Sequence, residues 1–198
     1  MTGADAPSIG IAVLAAGAST RLGRPKQLVV HQGSTLLRHA ARTAIDAALG
    51  PVLVVLGAGA EACREELDGL PVGILIHDGW REGMGSTISA AAQAMAKDGA
   101  VAALILTACD QPDVGPGDLR RLAEAHRQKG VAVVGSAYAG TVGIPALFAR
   151  SRFPALIALT GDAGAKAVLR AEGAQLASVD CPAAAFDIDA EADTIRLR

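Results

Sequence analysis

The chain has 198 residues, enough for one domain with a sizeable core. Apolar residues make up 51% of it and aromatics only 3%, so the core must be built from Ala, Val, Leu and Ile, and the composition excludes a disordered chain. A net charge of -2 excludes the broad basic footprint of nucleic-acid binding, so any phosphate site must be local.

Cys63, Cys109 and Cys181 are odd in number and lack CxxC spacing, which supports neither a disulfide framework nor a zinc site. Buried thiols in a reducing cytoplasm are the simplest reading. No basic and then apolar leader opens the sequence, and no apolar run approaches the roughly 18 residues of a membrane span. The expectation is a cytoplasmic chain with no membrane and no nucleic-acid partner.

Short aliphatic runs recur along the chain at Ile9 to Leu14, Val52 to Leu56, Val72 to Ile76, Val101 to Leu106 and Val131 to Val134. Stretches with helical spacing separate them: Leu36 to Leu49, Glu61 to Leu67, Ser86 to Met95 and Asp118 to Gln128. This alternation predicts βαβ units and a mostly parallel sheet, and runs that are apolar throughout predict strands covered on both faces. Past Gly135 the alternation lapses. Ala137 to Gly143 reads as a turn or hairpin, Pro145 to Leu159 as a short helix and connection, and Ala163 to Ala171 as a helix. Gln175 to Val179 reads as a strand and Ala190 to Arg198 as a closing helix.

The first predicted strand runs into LAAGASTRLGRPKQL, Leu14 to Leu28. Gly17 and Gly23 permit close backbone approach to a ligand, and Arg21 and Lys26 add two cations beside an expected helix N-terminus. Such a loop suits a triphosphate; a Gly-bearing turn with solvated cations is the plainer alternative. Neither GxGxxG nor the P-loop spacing is present. Asp110, in ACDQPDV after an apolar strand, reads by itself as a turn or cap residue. Ser86, in WREGMGSTI, reads by itself as a helix N-cap. Asp187 and Asp189 would share a face if Asp187-Ile188-Asp189 is extended, and Asp189 could serve as an N-cap. His31, His39 and His126 have no carboxylate or Cys at ligand spacing and read as packing residues.

These motifs together resemble the MobA/MocA-like nucleotidyltransferases that activate molybdopterin and, more distantly, enzymes making nucleotide sugars and cytidylylated isoprenoid precursors. AAGxSxRLGxxKQL is similar to their signature loop. WREGMGSTI resembles W-x-x-G-M-x-S-S-L, ACDQPDV resembles the CDQP motif, YAGTVGIPALF resembles Y-x-G-x-x-G-x-P-x-L-F, and GDAGAK resembles GDxGAR. All follow in family order from Leu14 to about Asp193. The sequence departs from the family at Ala190, Glu191 and Ala192, where DIDTPED has Thr, Pro and Glu, and at Thr141 and Lys166, where relatives have Arg.

The resemblance implies a Rossmann-like three-layer α/β/α sandwich of the nucleotide-diphospho-sugar transferase type. A single domain, 1–198, would carry acceptor-side elements at roughly 135–189. It implies Mg2+-dependent transfer of CMP from CTP to molybdenum-bearing molybdopterin with release of pyrophosphate, and service to a molybdoenzyme of the xanthine dehydrogenase type. Leu14, Ala15, Ala16 and Gly17 would hold base and ribose, Arg21 and Lys26 the triphosphate, Asp78 and Ser86 further parts of the nucleotide, and Asp110 with Asp187 and Asp189 the magnesium. Ala15-Ala16-Gly17 matches cytidylyl relatives, where guanylyl relatives tend to Gly-Gly, while Asp78 matches guanylyl members, so GTP is the other candidate. Two further readings stand beside this one: an NAD(P)H-dependent oxidoreductase, against which the missing GxGxxG counts, and a non-catalytic carrier of the matured cofactor.

Overall fold

A computed structural model describes residues 8–193. β1 (Ser8–Ala15) is apolar along its whole length because both its faces are covered: Ile9, Ile11 and Val13 pack to one side, Ala12 and Leu14 to the other. A loop and a two-residue ribbon, β2 (Val30–His31) with β3 (Ser34–Thr35), lead into α1 (Leu36–Asp46). The Thr35 hydroxyl caps that helix, accepting from the Arg38 N–H at 3.2 Å. Then come β4 (Val52–Leu56), α2 (Ala60–Glu65), β5 (Gly73–Ile76), α3 (Met84–Ala96), β6 (Val101–Ala108) and α4 (Pro116–Lys129). The last third holds β7 (Val133–Tyr138), β8 (Thr141–Ala149), α5 (Phe153–Ile157), α6 (Lys166–Ala171) and β9 (Ala177–Asp180).

Seven strands form one sheet in the order β5-β4-β1-β6-β8-β7-β9, in which β8 runs antiparallel to both its neighbours and the other pairings are parallel. Leu37 and Ala41 of α1, Cys63 of α2 and Leu119 and Leu122 of α4 cover one face. Ile88 and Ala92 of α3, Phe153 and Leu156 of α5, and Leu169 of α6 cover the other. The result is the expected three-layer sandwich, with a mostly parallel sheet. Among the described residues no helix is long and apolar enough to cross a membrane.

The structure corrects several expectations. Residues 145–149, expected to begin a helix, belong to β8, and Ala146, Leu147 and Phe148 are fully buried between β6 and β7. An apolar run of this length fits either state, and pairing with strands far along the chain decides it. Pro145 is tolerated because the β7–β8 register shifts between Gly135 and Ser136, leaving it outside the ladder, while its carbonyl accepts from the Ser136 hydroxyl at 2.6 Å. β5 is an edge strand with Ile74 and Ile76 exposed, not a strand covered on both faces. Helix α1 stops at Asp46, two residues before Ala48 turns left-handed at φ 53°. Of the closing helix expected over Ala190 to Arg198, residues 191–193 form a short turn and 194–198 lie outside the described residues.

Phe148→Ala should cost about 3–5 kcal/mol of stability, the usual penalty for emptying a buried aromatic site. Urea unfolding checks this, and a cost below about 1 kcal/mol would mean that 145–149 is a surface connection after all.

Candidate active site

β1 and β6 are neighbours, yet the chain leaves β1 for β4 and reaches β6 only after β5. The crevice above their carboxyl ends is therefore the topological switch point at which open α/β sheets bind ligands. A cavity of about 280 Å³ opens there, walled by Leu14 to Ala18 on one side, Lys26 and Asp110 on another, and Trp80, Arg81 and Thr87 on a third.

The loop after β1 is fixed by side chains it carries itself. Buried Gln27 donates from its amide to the carbonyls of Ala15 at 2.9 Å and Gly17 at 2.7 Å. Ser19, left-handed at φ 53°, accepts from the Lys26 N–H at 3.0 Å. A Cβ at Gly17 would meet no protein atom, so the space its absence leaves belongs to the cavity. No long helix starts here, contrary to expectation: Lys26–Leu28 is a single 3-10 turn, too short for an appreciable dipole.

Lys26 Nζ lies 2.6 Å from Asp110 Oδ2 and 3.0 Å from Asp189 Oδ1, and Arg21 reaches Asp189 Oδ2 at 3.1 Å. Burial opposes the charge on Lys26, but the two carboxylates more than offset it and raise the ammonium's pKa. Asp189 comes within reach because the Ile188 N–H donates to the Asp110 carbonyl at 3.0 Å while the Ile188 side chain is wholly buried. Residues 186–189 form no regular strand, and Asp187 and Asp189 flank this anchor. The Asp187 carboxyl is pushed up, first by loss of water around it and then by the like charges of Asp189 and Asp110. Asp189 is not a helix cap; its backbone N–H instead donates to Asp193 Oδ2 at 2.9 Å.

The remaining expected residues are placed differently. Asp78 is exposed at the start of a 3-10 turn and does not line the cavity, and neither does Ser86. Ser86 lies within α3 and is not its N-cap, which is Gly83. Its hydroxyl reaches the carbonyls of Gly83 at 2.9 Å and Gly79 at 3.2 Å, with His77 Nε2 at 3.0 Å. Gln27, Trp80, Arg81 and Thr87, which the sequence did not single out, build the wall; all four fall inside the quoted motifs, which was their only signal. His39 and His126 meet the carbonyls of Pro112 at 3.0 Å and Val131 at 2.7 Å, as packing residues do. The three cysteines are buried and free, and burial, with the charge of Asp110, pushes the Cys109 thiol far up, so no thiolate nucleophile is at hand.

A second cavity, of about 470 Å³, shares Leu14 and Met84 with the first and is otherwise lined by Ile88, Tyr138, Lys166 and Arg170, among others. Thr141 lies elsewhere, on the β7–β8 hairpin beside a shallow hollow. The ridge between the cavities is tightly built: the Gly85 N–H donates to the Gly161 carbonyl at 2.8 Å, and a Cβ on Gly85 would come within 2.6 Å of the Thr160 oxygen.

Residues 11–179 match the family described as the MobA-like NTP transferase domain. The chain is 33% identical over 187 residues, 89% of each chain, to the nicotine blue oxidoreductase of Paenarthrobacter nicotinovorans. It superposes on the crystal structure of Rv0371c from Mycobacterium tuberculosis H37Rv with a TM-score of 0.83 at 28% identity, covering 97% of this chain and 98% of that one. A manganese complex of Rv0371c gives 0.79 at 26% identity, over 96% and 97%. The molybdopterin-guanine dinucleotide biosynthesis protein A of Archaeoglobus fulgidus gives 0.65 at 18%, over 95% and 96%, and shares the fold. That fold is the nucleotide-diphospho-sugar transferase type. The family match ends before Asp187 and Asp189, whose position rests on the geometry alone.

Because folding raises the Asp187 pKa above its ordinary 3.8, its carboxyl favours the folded state only while protonated, and that contribution is lost as pH rises through the folded pKa. Asp187→Asn should therefore raise Tm at pH 7 in chelated buffer, and the gain should shrink to nothing as pH falls below about 4. Thermal melts across pH would show it; a variant less stable than the parent at pH 7 would contradict the crowding of carboxylates.

Proposed function

Since the chain belongs to the family of MobA-like NTP transferase domains, matched over residues 11–179, we propose that it transfers CMP from CTP to the terminal phosphate of molybdenum-bearing molybdopterin. In this reaction an acceptor phosphate oxygen forms a bond to the α-phosphorus, the bond from that phosphorus to the bridging oxygen breaks, and its electron pair leaves with pyrophosphate. The single observation that carries the reading is the cavity at the β1–β6 crevice, where a glycine-bearing loop faces Lys26 held between Asp110 and Asp189.

The acceptor needs no general base. A phosphate monoester has its second pKa near about 6 and is already an anionic nucleophile at neutral pH. The barrier is instead the meeting of two anions, which positioned cations must lower. Lys26 and Arg21 supply that charge for the triphosphate, and the loop from Leu14 to Gly17 takes base and ribose, with Ala15 and Ala16 favouring cytosine. The second cavity, apolar but with Lys166 and Arg170 on its wall, takes the acceptor. The product would serve a molybdoenzyme of the xanthine dehydrogenase type in the cytoplasm.

A divalent ion fits this site by the chemistry of its donors. Among the described residues no three acidic, His or Cys side chains already form a ready coordination group. Asp110 and Asp189 nevertheless both face one cation, the Lys26 ammonium, and Asp187, its carboxyl pushed up first by burial and then by the charges of Asp189 and Asp110, stands beside them. Hard carboxylate oxygens of this kind suit magnesium or manganese, and one or two are enough when phosphates complete the shell. Asp110 together with Asp189 or Asp187 would hold the ion, which when bound would neutralise charge on the α-phosphate and the departing pyrophosphate.

One observation favours a second reading: a relative 33% identical bears an oxidoreductase name. Under it the first cavity would hold a nicotinamide nucleotide, and NADH or NADPH would bind in preference to CTP.

Pyrophosphate release measured with each of the four triphosphates, with and without the molybdenum-loaded pterin, tests the proposal. CTP with the pterin should give the fastest release, and Asp110→Ala should slow it at least about a hundredfold. Preference for GTP would overturn the choice of base. Absence of release with every triphosphate, together with tight NAD(P)H binding, would leave the oxidoreductase standing.

A further inference from the structure

Three cations stand in or beside the first cavity, and two are already committed. Arg21 pairs with Asp189, and Lys26 with Asp110 and Asp189. Arg81 lines the same cavity, is exposed, and forms no ion pair with a carboxylate among the described residues. Its guanidinium carbon lies 4.4 Å from the centroid of the Trp80 ring instead.

Trp80 is a fixed platform for that guanidinium. Gly57, just past β4, presses against it so closely that a Cβ there would meet Trp80 Cβ at 2.7 Å and the Ala16 carbonyl at 2.6 Å. That carbonyl accepts from the Ala58 N–H at 3.0 Å, which ties the platform to the loop after β1. The Trp80 carbonyl in turn accepts from the Gly83 N–H at 3.2 Å, so the turn bearing Arg81 is closed on both sides. The backbone and the base of the ring are held, whereas the exposed guanidinium has only the ring contact and no carboxylate partner among the described residues. An exposed cation–π contact is weak, whereas a guanidinium meeting phosphate oxygens forms paired, charge-assisted hydrogen bonds that are much stronger.

We infer that Arg81 is a phosphate-binding residue which leaves the Trp80 ring for the β- and γ-phosphates of the bound triphosphate and meets the charge of the pyrophosphate as it departs. The inference rests on the nucleotidyltransferase reading and adds to it a cation that neither the family's signature loop nor its acidic motif contains. The bond to the bridging oxygen breaks with its electron pair on pyrophosphate; Arg81 neutralises that charge without gaining or losing a proton, since guanidinium stays protonated throughout.

Trp80 is the only tryptophan in the chain, so its fluorescence reports the exchange without any assay of turnover. Titrating wild type with inorganic tripolyphosphate, and separately with CTP, should change the emission as Arg81 leaves the ring. Arg81→Met keeps an alkyl chain on the ring and removes the charge. It should weaken binding of both ligands roughly ten- to a hundredfold, the loss expected for one charge-assisted contact. Cytidine, which has no phosphate, should bind both proteins alike, and Arg81→Lys should recover part of the tripolyphosphate affinity. Arg81 is exposed, so the variants should melt with the wild type. If Arg81→Met binds tripolyphosphate as tightly as wild type, or if cytidine binding falls as far as CTP binding, the inference is wrong while the nucleotidyltransferase reading survives. If the wild type itself binds neither tripolyphosphate nor CTP, both fail together.

Discussion

The Lys26 ammonium is where three distant stretches of chain meet. Its partners Asp110 and Asp189 lie 84 and 163 residues further on, at the end of β6 and near the end of the described chain. Partly buried charge is tolerable only if neutralised, and here each side neutralises the other: the carboxylates hold Lys26 protonated, and Lys26 relieves a cluster whose third member, Asp187, is already pushed toward its neutral form. A site balanced in this way is also a site for ligands of mixed charge. In the proposed reaction a triphosphate would compete for the ammonium and a divalent ion for the carboxylates, so the bound pair would replace the internal one without leaving any charge exposed to low dielectric.

That interaction depends on the fold having brought the crevice to this point. The β1–β6 neighbourhood is made by chain that departs in one direction and returns from the other, which leaves the carboxyl ends of two central strands uncovered. The loop that fills the gap is held by Gln27 and Ser19 through backbone hydrogen bonds, so its shape is set before any ligand arrives. The contact of Gly83 and Gly85 with residues 160–162 then fixes the ridge carrying Met84 between the two cavities. Two substrates bound on either side of such a ridge would have their reacting phosphates brought together by rigid backbone, which is where much of the advantage of a two-substrate enzyme arises.

Among the proteins this chain is similar to, one bears an oxidoreductase name and another was solved with manganese. One fold can host both kinds of chemistry, because function lives in the residues of the site rather than in the fold. What separates the alternatives is the charge around the cavity. Two cations set against a cluster of carboxylates suit a polyphosphate with a metal ion better than the single pyrophosphate of a dinucleotide.

The amino-acid sequence by itself determined the βα alternation, the parallel core strands and the glycine-bearing loop after β1 that carries Lys26, and it pointed to Asp110 just past β6, because these are local signals: apolar runs of strand length, caps and contiguous motifs. Tertiary structure alone decided that residues 145–149 form the antiparallel strand, that Asp189 lies at Lys26, and that Arg81 and Thr87 line the cavity while Asp78 and Ser86 do not. Each of these depends on pairing or packing between segments far apart in the chain. The same apolar run serves as strand or helix until its neighbours are chosen, and a polar side chain on a tight turn points inward or outward according to backbone angles that its own sequence leaves open.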